Sequence, residues 1–345
     1  MERLKNINNL DLEGKKVFLR LDLDVPILNG GIEDDSRLKA SLETLDLLLE
    51  KWGNVIIAGH LGRPNGVEEK YSLKPVANWF AKHFKTESIK GRIEQFDGWK
   101  IKDNLFVLEN LRFFEGEEKN DLEFSKKLAS LADIYVNDAF AVSHRSHASI
   151  VGVCNLLPHY VGVHLEKEIK VLSQVLENPK RPLVVIIGGA KIETKLPLVK
   201  KMNSLADYLL VGGLVALELK NLLDQDPNVL GEVKSKLLIA SLTEDKKDID
   251  LQSAGNFAEA IKNGQTIVWN GLMGIVEEGL ETGTKEVATA ITNSNIYSIV
   301  GGGDTVCYLQ KIGLLDKFSF VSTGGGAMLG FLAGENLPGI DALLT

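Results

Sequence analysis

The sequence predicts an α/β fold with two domains, each built on a parallel β-sheet that helices cover on both faces. Short apolar runs alternate with amphipathic stretches of helical period along the chain, which is typical of such sheets. The 345 residues exceed the length at which a single hydrophobic core usually stops growing. Seven of the eight arginines lie in the first 160 residues, whereas most glycine pairs and triplets lie in the second half. The two halves therefore carry different chemistry.

The apolar runs predict strands at residues 17–23, 55–59, 105–108, 134–137, 183–187, 208–211, 266–269, 298–300 and 318–322. Amphipathic stretches predict helices at residues 36–51, 75–83, 124–131, 194–203, 253–263 and 284–292. A further helix, 164–176, is predicted between the halves, because the proline-containing stretch 178–182 ends it. Ligands of parallel sheets collect beyond the carboxyl ends of the strands, so the segments that follow the strands are candidate sites.

The composition is that of an ordinary globular protein, with 44% hydrophobic and 25% charged residues. A net charge of −8 argues against nucleic acid or an anionic membrane as a main partner. The N-terminus has no apolar h-region and no apolar stretch approaches the length of a membrane span, so we expect neither an export signal nor a transmembrane helix. Cys154 and Cys307 lack metal-ligand spacing and are interpreted as reduced thiols of a cytoplasmic protein.

Charged residues cluster after the strands predicted in the first half. The segments read RLDLDVP, DDSR, GHLGRP, ENLRF and NDAFAVSHRSH. Ser36 or Asp35 is the expected N-cap of the first helix, which directs Arg37 back toward the strand ends. Arginine matches carboxylate and phosphate oxygens two at a time, so these segments predict a cleft that binds a small polyanion. Coincidental surface charge and ordinary core histidines are the alternative interpretation.

Glycine-rich segments follow the strands predicted in the second half. In GGAKIETK, Lys191 and Lys195 lie one turn apart at the start of a helix, whose N-terminus attracts phosphate. In GGGDT, backbone N–H groups can bind phosphate and Asp304 can bind Mg²⁺. The segment GGAKIETK lacks the spacing of a Walker A loop. No strand exit carries a clean G-x-G-x-x-G followed by an acidic residue, which disfavours a dinucleotide fold. Together the halves favour phosphoryl transfer between two separately bound substrates.

The chain resembles the phosphoglycerate kinase family over almost its full length. The resemblance rests on ten ordered motifs: RLDLDVP, DDSR, GHLGRPNG, YSLKPVA, ENLRFFEGEEKND, YVNDAFAVSHRSHAS, GGAKIETK, VWNGLMG, GGGDT and STGGGAM. It implies two Rossmann-like parallel-sheet domains joined by a helix, with a deep cleft between them. The implied limits are 1–163 for the substrate domain, 164–178 for the joining helix and 179–333 for the nucleotide-binding domain. A C-terminal tail, 334–345, is expected to pack back on the first domain.

The implied activity is reversible phosphoryl transfer between 1,3-bisphosphoglycerate and ADP, giving 3-phosphoglycerate and ATP. The resemblance assigns to the glycerate substrate the residues Asp22, Asp24, Arg37, His60, Leu61, Gly62, Arg63, Arg112 and Arg145. It assigns to the nucleotide the residues Gly189, Lys195, Gly213, Asn270, Glu277, Gly302, Gly303, Asp304 and Thr305, with Asp304 also the ligand of Mg²⁺. It places around the transferring phosphoryl group the residues Arg37, Lys191, Lys195 and Gly325. A monomer in the cytoplasm is the remaining expectation.

The acceptor carboxylate of such a substrate is already ionised, so the reaction needs no general base. Catalysis is then expected from alignment of the substrates and from charge placed around the transferring oxygens. Because the substrates bind to different domains, a hinge motion is expected to bring them together and to expel water.

The chain departs from the family pattern at several positions. The family usually has Asn at the position of Asp24, Pro at Leu272 and a third Gly at Leu214. Between residues 217 and 267 the chain is several tens of residues shorter than typical members. The missing region normally lies beside the nucleotide, so the contacts with adenine are the part of the resemblance that the sequence supports least.

Two other functions remain open. One is a catalytically impaired relative that binds a nucleotide or a partner protein. Loss of Arg37, Lys191, Lys195 or Asp304 would favour it, and all of these are present. The other is a kinase for a different small carboxylate, which would share the nucleotide half but need a different set of arginines.

Overall fold

The computed structural model describes residues 4–344. The expectations for the first three residues and for Thr345 lie outside that range. The chain forms two compact units: Met1–Lys170 with Asn336–Thr345, and Val171–Glu335. We call them the first and the second unit. Helix α5 (Val163–Glu177) begins in the first unit and ends in the second.

Within the described residues, the first unit contains a seven-stranded sheet in the order β5-β6-β7-β4-β1-β8-β9. Its strands are β1 (Lys16–Arg20), β4 (Asn54–Ala58), β5 (Ile89–Ile93), β6 (Phe96–Lys102), β7 (Leu105–Leu108), β8 (Ile134–Asn137) and β9 (His159–Val161). Pairing is parallel from β7 to β9, as the sequence predicts. A separate hairpin joins β2 (Ile27–Leu28) to β3 (Gly31–Ile32).

The first sheet differs from the prediction at its β5 edge. Strands β5, β6 and β7 pair antiparallel, and β5 and β6 have no counterpart among the predicted strands. The residues of β5 are mostly polar and exposed, so their sequence lacks an apolar run. Pairing with β6 therefore decides their conformation, since an antiparallel strand needs only one buried face. Strand β1 is also shorter than predicted, because the chain leaves the sheet after Arg20.

The helices of the first unit pack its core from both faces of the sheet. They are α1 (Ser36–Glu50), α2 (Lys74–His83), α3 (Glu115–Glu118), α4 (Leu122–Ala129) and the first part of α5, with short helical turns at Glu69–Tyr71, Leu111–Phe113, Phe140–Val142 and Ala148–Gly152. The main apolar cluster joins Leu19 and Ile57 of the central strands to Leu45 of α1 and Phe80 of α2. Removal of the apolar surface of this cluster from water is the main favourable contribution to folding of the unit.

The second unit contains a sheet that is parallel throughout, in the order β12-β11-β10-β13-β14-β15. Its strands are β10 (Leu183–Ile187), β11 (Tyr208–Val211), β12 (Lys236–Ile239), β13 (Thr266–Asn270), β14 (Tyr297–Gly301) and β15 (Phe320–Ser322). Its helices are α6 (Leu196–Leu205), α7 (Gly213–Gln225), α8 (Leu251–Lys262), α9 (Thr282–Thr292), α10 (Gly303–Lys311) and α11 (Gly326–Ala333), with turns at Val276–Glu278 and Leu315–Lys317.

Several elements of the second unit were not predicted. They are β12, α7, α10 and α11. Helices α7, α10 and α11 each begin at or beside a glycine pair or triplet, which sequence rules interpret as loop. In the structure Gly212, Gly302 and Gly325 are the N-caps of these helices. The glycines therefore mark helix starts at the ends of β11, β14 and β15.

The C-terminal segment belongs to the first unit. It forms α12 (Pro338–Asp341) and a turn at Ala342–Leu344. The N–H of Gly339 donates to the carbonyl of Ser143 at 2.9 Å. The thiol of Cys154 donates to the carbonyl of Ala342 at 3.3 Å. None of the helices between residues 4 and 344 has the length and apolar character needed to cross a membrane.

Candidate functional site

The first unit gathers its predicted site residues at one edge of the sheet. Strands β7, β4, β1 and β8 are consecutive neighbours and parallel. Their carboxyl ends therefore lie side by side, and so do the segments 109–113, 59–63, 21–25 and 138–147 that follow them.

Arg37 lies one residue inside the N-terminus of α1, and its Nη1 donates to the backbone carbonyl of Asp24 at 2.6 Å. The prediction that Arg37 is directed toward the strand ends is therefore confirmed. Asp35 occupies the N-cap position, but its side chain makes no capping bond. The N–H of Ser36 is instead accepted by Asp34 Oδ1 at 2.9 Å. Asp35 is thus the N-cap, one of the two residues predicted, but its carboxylate does not cap the helix because it contacts Lys39 and Trp79 instead.

The peptide of Gly62 ties two of the predicted substrate residues together. Its N–H donates to Asp24 Oδ1 at 2.9 Å, and its carbonyl accepts from Arg112 Nη1 at 2.6 Å. The carbonyl of Leu61 accepts from the side chain of Asn110 at 2.8 Å. The carbonyl of Leu61 and the N–H and carbonyl of Gly62 therefore form hydrogen bonds with neighbouring side chains.

Arg112 has the clearest capacity for a ligand in this group. Its side chain is only 4% exposed, and its Nε lies 3.0 Å from Glu118 Oε1. Its buried Nη2 has no hydrogen-bond acceptor within residues 4–344. A buried guanidinium nitrogen without an acceptor is costly, so this position favours an anionic ligand.

Asp22 is buried, and its Oδ2 accepts the N–H of Ala141 at 2.9 Å. Burial raises the pKa of Asp22, and the charge of Arg37 opposes that rise. The carboxylate thereby fastens the segment after β1 to the segment after β8. Asp24 is more open, with its side chain 42% exposed, and its Oδ2 lies 3.8 Å from His60 Nε2.

Arg63 and Arg145 complete the predicted set. Arg63 is exposed, and Arg145 is partly buried. Burial is the largest cause that lowers the pKa of His60, followed by the charges of Arg20 and Arg112. The charge of Arg145 lowers this pKa as well, so Arg145 lies within electrostatic range of the ring. The structure thus brings Asp22, Asp24, Arg37, His60, Gly62, Arg112 and Arg145 into one group.

Arg20 and Glu117 are among the buried charged residues of the first unit that the predicted site omits. Arg20, fully buried at the end of β1, contacts His60 Nδ1 through Nη2 at 3.1 Å. Glu117, also fully buried, accepts from both the N–H and the hydroxyl of Ser149. The motif RLDLDVP gave a signal for Arg20. Glu117 lies within the motif ENLRFFEGEEKND, but it was not assigned a role because that stretch of charged residues resembles an exposed surface.

In the second unit, a cavity of about 500 Å³ lies at the carboxyl ends of β10, β11, β13 and β14. It is lined by every residue predicted to bind the nucleotide: Gly189, Lys195, Gly213, Asn270, Glu277, Gly302, Gly303, Asp304 and Thr305. Lys191 lines it as well. The volume is in the range of cavities that hold small-molecule ligands.

Close backbone approach explains why glycine occurs at the floor of this cavity. Gly213 has a φ of 62°, and a Cβ there would lie 2.8 Å from the carbonyl oxygen of Gly189. A Cβ on Gly188 would lie 2.3 Å from the carbonyl oxygen of Leu272. Only glycine lets these segments pack backbone against backbone.

Lys195 is the most strongly perturbed lysine of the cavity. Its Nζ donates to Asn270 Oδ1. Burial lowers the pKa of Lys195 to about 8, and the charge of Asp304 opposes that effect. The amine is thus held in a partly desolvated site whose charged form an incoming anion would stabilise.

The N-terminus of α10 offers the groups expected for a phosphate and its metal. Gly302 has a φ of 100° as the N-cap, and Asp304 lies exposed in the first turn. Among residues 4–344 no cluster of three or more histidine, cysteine or acidic side chains could hold a metal alone. Mg²⁺ is commonly held by one or two carboxylates together with substrate phosphates, and this donor set fits Asp304.

Residues that the sequence analysis did not assign to the nucleotide also line the cavity. Leu214, Leu242 and Lys246 line it. The segment 241–250 that carries Leu242 and Lys246 is held by buried Asp248, which accepts the N–H of Gly283 at 3.0 Å. This segment follows β12, in the part of the chain that is shorter than in the family pattern.

Gly325 lies outside the residues that line this cavity. It is the N-cap of α11, with a φ of 50°, and follows β15. Since β15 is the neighbour of β14, the N-termini of α10 and α11 lie at the same edge of the sheet. The first N–H groups of a helix lack intrahelical acceptors, so both helix starts can receive phosphate oxygens.

Two α/β units with parallel central strands, one with a polar edge rich in arginine and one with a glycine-floored cavity, are the architecture expected of a two-domain phosphotransferase of small molecules. The model of the family described as phosphoglycerate kinase matches residues 7–229 and 232–335. The chain belongs to the phosphoglycerate kinase family.

Named relatives agree with this assignment. The chain is 38% identical to "Phosphoglycerate kinase" of Leptospira biflexa serovar Patoc over 391 aligned positions, covering 99% of this chain and 98% of the relative. It is 38% identical to "Phosphoglycerate kinase" of Dictyoglomus turgidum, covering 98% of each. The structure of phosphoglycerate kinase from Coxiella burnetii matches with a TM-score of 0.83 and 33% identity, covering 99% of each chain. The first alignment is longer than this chain, so the relative contains several tens of residues that this chain lacks.

A pH titration tests the environment of Lys195. With a pKa of about 8, its NMR signal should titrate with a midpoint well below the value of about 10.4 for an unperturbed lysine. The unfolded chain binds this proton more tightly, so the residue's contribution to the free energy of unfolding should rise with pH between these two values. Lysine-selective labelling, with Lys195→Met to assign the signal, makes the measurement. A midpoint above 10 would contradict the buried environment.

Proposed function

We propose that this chain catalyses the reaction of its family with the two sets of residues described above. Phosphoglycerate kinases transfer a phosphoryl group reversibly between 1,3-bisphosphoglycerate and ADP, giving 3-phosphoglycerate and ATP in glycolysis and gluconeogenesis. The observation that carries the residue assignment is the cavity of the second unit, which all the residues predicted to bind the nucleotide line together.

The glycerate substrate is proposed to bind at the polar edge of the first unit. Arg112 would supply its unpaired Nη2 to an anionic oxygen, with Arg63 and Arg145 adding charge from more open positions. Arg37, anchored on the carbonyl of Asp24, is proposed to direct its remaining N–H groups at the transferring phosphoryl group. Charge-assisted hydrogen bonds of this kind are about twice as strong as neutral ones.

The nucleotide is proposed to bind in the cavity of the second unit. Its phosphates would lie at the N-terminus of α10, where Asp304 would bind Mg²⁺. Mg²⁺ would neutralise charge on the phosphate oxygens when bound. Lys191 and Lys195 would contact the phosphates from the segment after β10, and the base would occupy the end near Leu214 and Leu242.

The chemistry needs no proton transfer by the protein, because the acceptor carboxylate is ionised at neutral pH. The residues therefore act by holding the reactants in line and by stabilising charge on the transferring oxygens. The N–H groups at Gly325 are proposed to join Lys191, Lys195 and Arg37 in this role. Since the ligands belong to separate units, closure of one unit toward the other is part of the proposal.

We further propose the domain limits 1–163, 164–178 and 179–333, with 334–345 as a part of the first domain. A monomeric enzyme in the cytoplasm is proposed from the family and from the free thiols of Cys154 and Cys307. The decisive experiment is a coupled assay of ATP-dependent phosphorylation of 3-phosphoglycerate. Turnover that Lys191→Ala depresses supports the proposal. Nucleotide binding without turnover would favour an impaired relative instead.

Two arginine variants separate the proposed roles at the substrate edge. Arg37→Ala should depress kcat by orders of magnitude, because it removes charge needed most in the transition state. Arg63→Ala should mainly raise KM for 3-phosphoglycerate, by the loss of about 1.5–3 kcal/mol of a charge-assisted hydrogen bond. Steady-state kinetics measures both, and Arg92→Ala, an exposed arginine of β5, is the matched control. Near-wild-type kinetics for both variants would contradict the assignment of the site.

Asp304→Asn should raise the concentrations of Mg²⁺ and nucleotide that the enzyme requires. Binding of 3-phosphoglycerate should stay nearly unchanged, because its proposed site is in the other unit. Isothermal calorimetry with each ligand measures the two affinities, and Asp316→Asn, an exposed aspartate of the same unit, is the control. Equal loss of both ligands would show that the two-site assignment is wrong or that the variant is damaged.

Asp24→Asn should retain activity and bind 3-phosphoglycerate as well as the wild type or better. The amide oxygen can still accept the N–H of Gly62, while the negative charge beside an anionic substrate is removed. Any gain in affinity should be largest at high pH, where the substrate carries most charge. KM measured across pH tests this, with exposed Asp103→Asn as the control. A large loss of activity would instead assign the Asp24 carboxylate a positive role.

A further inference from the structure

A chain of buried polar groups lies behind the proposed substrate edge of the first unit. Arg20 Nε donates to Ser149 Oγ at 2.9 Å, and Ser149 Oγ lies 2.5 Å from Glu117 Oε1. The N–H of Ser149 donates to Glu117 Oε2 at 3.0 Å. At the other end, Arg20 Nη2 lies 3.1 Å from His60 Nδ1. The side chains of all four residues are almost completely shielded from water.

The direction of every bond in this chain is set by arginine chemistry. A guanidinium is permanently protonated and can only donate. Ser149 Oγ therefore accepts from Arg20, and its single hydrogen goes to Glu117. Glu117 accepts at both oxygens, as a carboxylate does. Burial raises the pKa of Glu117, and the charge of Arg20 and the two hydrogen bonds from Ser149 oppose that rise, so Glu117 serves as the buried counter-charge of Arg20.

The same rule fixes the protonation of His60. Because Arg20 Nη2 must be the donor, His60 Nδ1 must be the acceptor and carries no proton. A ring with a bare Nδ1 is neutral, and its hydrogen is then on Nε2. Nε2 lies on the side of Asp24, whose partly exposed Oδ2 is 3.8 Å away.

The charges around the ring agree with a neutral His60. Burial first, and then the charges of Arg20, Arg112, His147 and Arg145, hold the pKa of His60 well below its usual range. Among the ion pairs of the described residues, Asp24 in the segment after β1 supplies the carboxylate that lies within 4 Å of the ring. At 3.8 Å it is too far for a hydrogen bond that would stabilise an imidazolium.

We propose that Arg20 is a positioning residue that fixes His60 as its neutral Nε2–H tautomer. His60 then offers the substrate a hydrogen-bond donor instead of a positive charge. Ser149 and Glu117 hold Arg20 in place for this purpose. The ligand of Nε2–H is an oxygen acceptor of the glycerate substrate, and this last statement rests on the proposed function.

The tautomer is tested directly on the wild-type protein without substrate. Long-range ¹H–¹⁵N NMR spectra of histidine-labelled protein distinguish Nδ1–H, Nε2–H and imidazolium forms, and His60→Gln assigns the signal. We expect the ring of His60 to carry its proton on Nε2 and none on Nδ1 from about pH 6 to about pH 8. An Nδ1–H ring or an imidazolium at pH 6 would overturn the proposal, whether or not the enzyme is active.

A double variant tests the role of Arg20. Arg20→Met with Glu117→Gln removes both buried charges together, so no unpaired charge is left inside the unit. We expect a mixture of His60 tautomers and a rise in KM for 3-phosphoglycerate of about three- to tenfold, the size of one neutral hydrogen bond. The rise in KM should exceed the change in kcat. The control Arg92→Met, at an exposed residue, should change neither the tautomer of His60 nor KM.

The outcomes separate this inference from the proposed function. A folded double variant that keeps a pure Nε2–H ring would overturn the role of Arg20. If the double variant does not fold, the wild-type spectrum still decides the tautomer. An Nε2–H ring in a protein that does not bind 3-phosphoglycerate would support the tautomer and contradict the proposed substrate.

Discussion

Parallel strand pairing is the constraint on which the sites of this protein depend. In each unit the central strands run in one direction, so their carboxyl ends form a single edge. Polar and glycine-rich segments that lie 30 or more residues apart in sequence are neighbours at that edge, such as those after β1, β4 and β8. The sheet itself is held by apolar strands such as β10, which is buried along its whole length. The chemistry of the edge is therefore supported by a core that takes no part in it.

Charge at these edges is handled differently in the two units. In the first unit, buried Arg20 and Glu117 satisfy each other through Ser149, while the buried Nη2 of Arg112 has no acceptor in the described chain. The cost of burying a charge falls steeply when hydrogen bonds surround it. The first arrangement is thus complete without a ligand, whereas the second becomes complete only when an anion binds.

In the second unit, the backbone geometry of glycines indicates where a ligand can bind. Gly188 and Gly213 permit contacts that any side chain would block, and Gly302 begins a helix whose N-terminus is open to the cavity. The buried amine of Lys195 adds a single positive charge, with its pKa lowered to about 8 by burial. A phosphate that binds there would receive N–H groups and a charge already held in position, so little reorganisation is needed during transfer.

The sequence by itself determined the α/β class, nine of the strands that pair in the two sheets and the charged or glycine-rich character of the segments that follow them. Apolar runs and charged strand exits are local signals, so each could be interpreted where it stood. The tertiary structure alone decided the antiparallel edge formed by β5 and β6, because the mostly polar residues of β5 form a strand only by pairing with β6. It also decided that Glu117 is buried as the partner of Ser149, and that Leu242 and Lys246 close the cavity. These features depend on which distant segments meet in space, and no local pattern of residues encodes that.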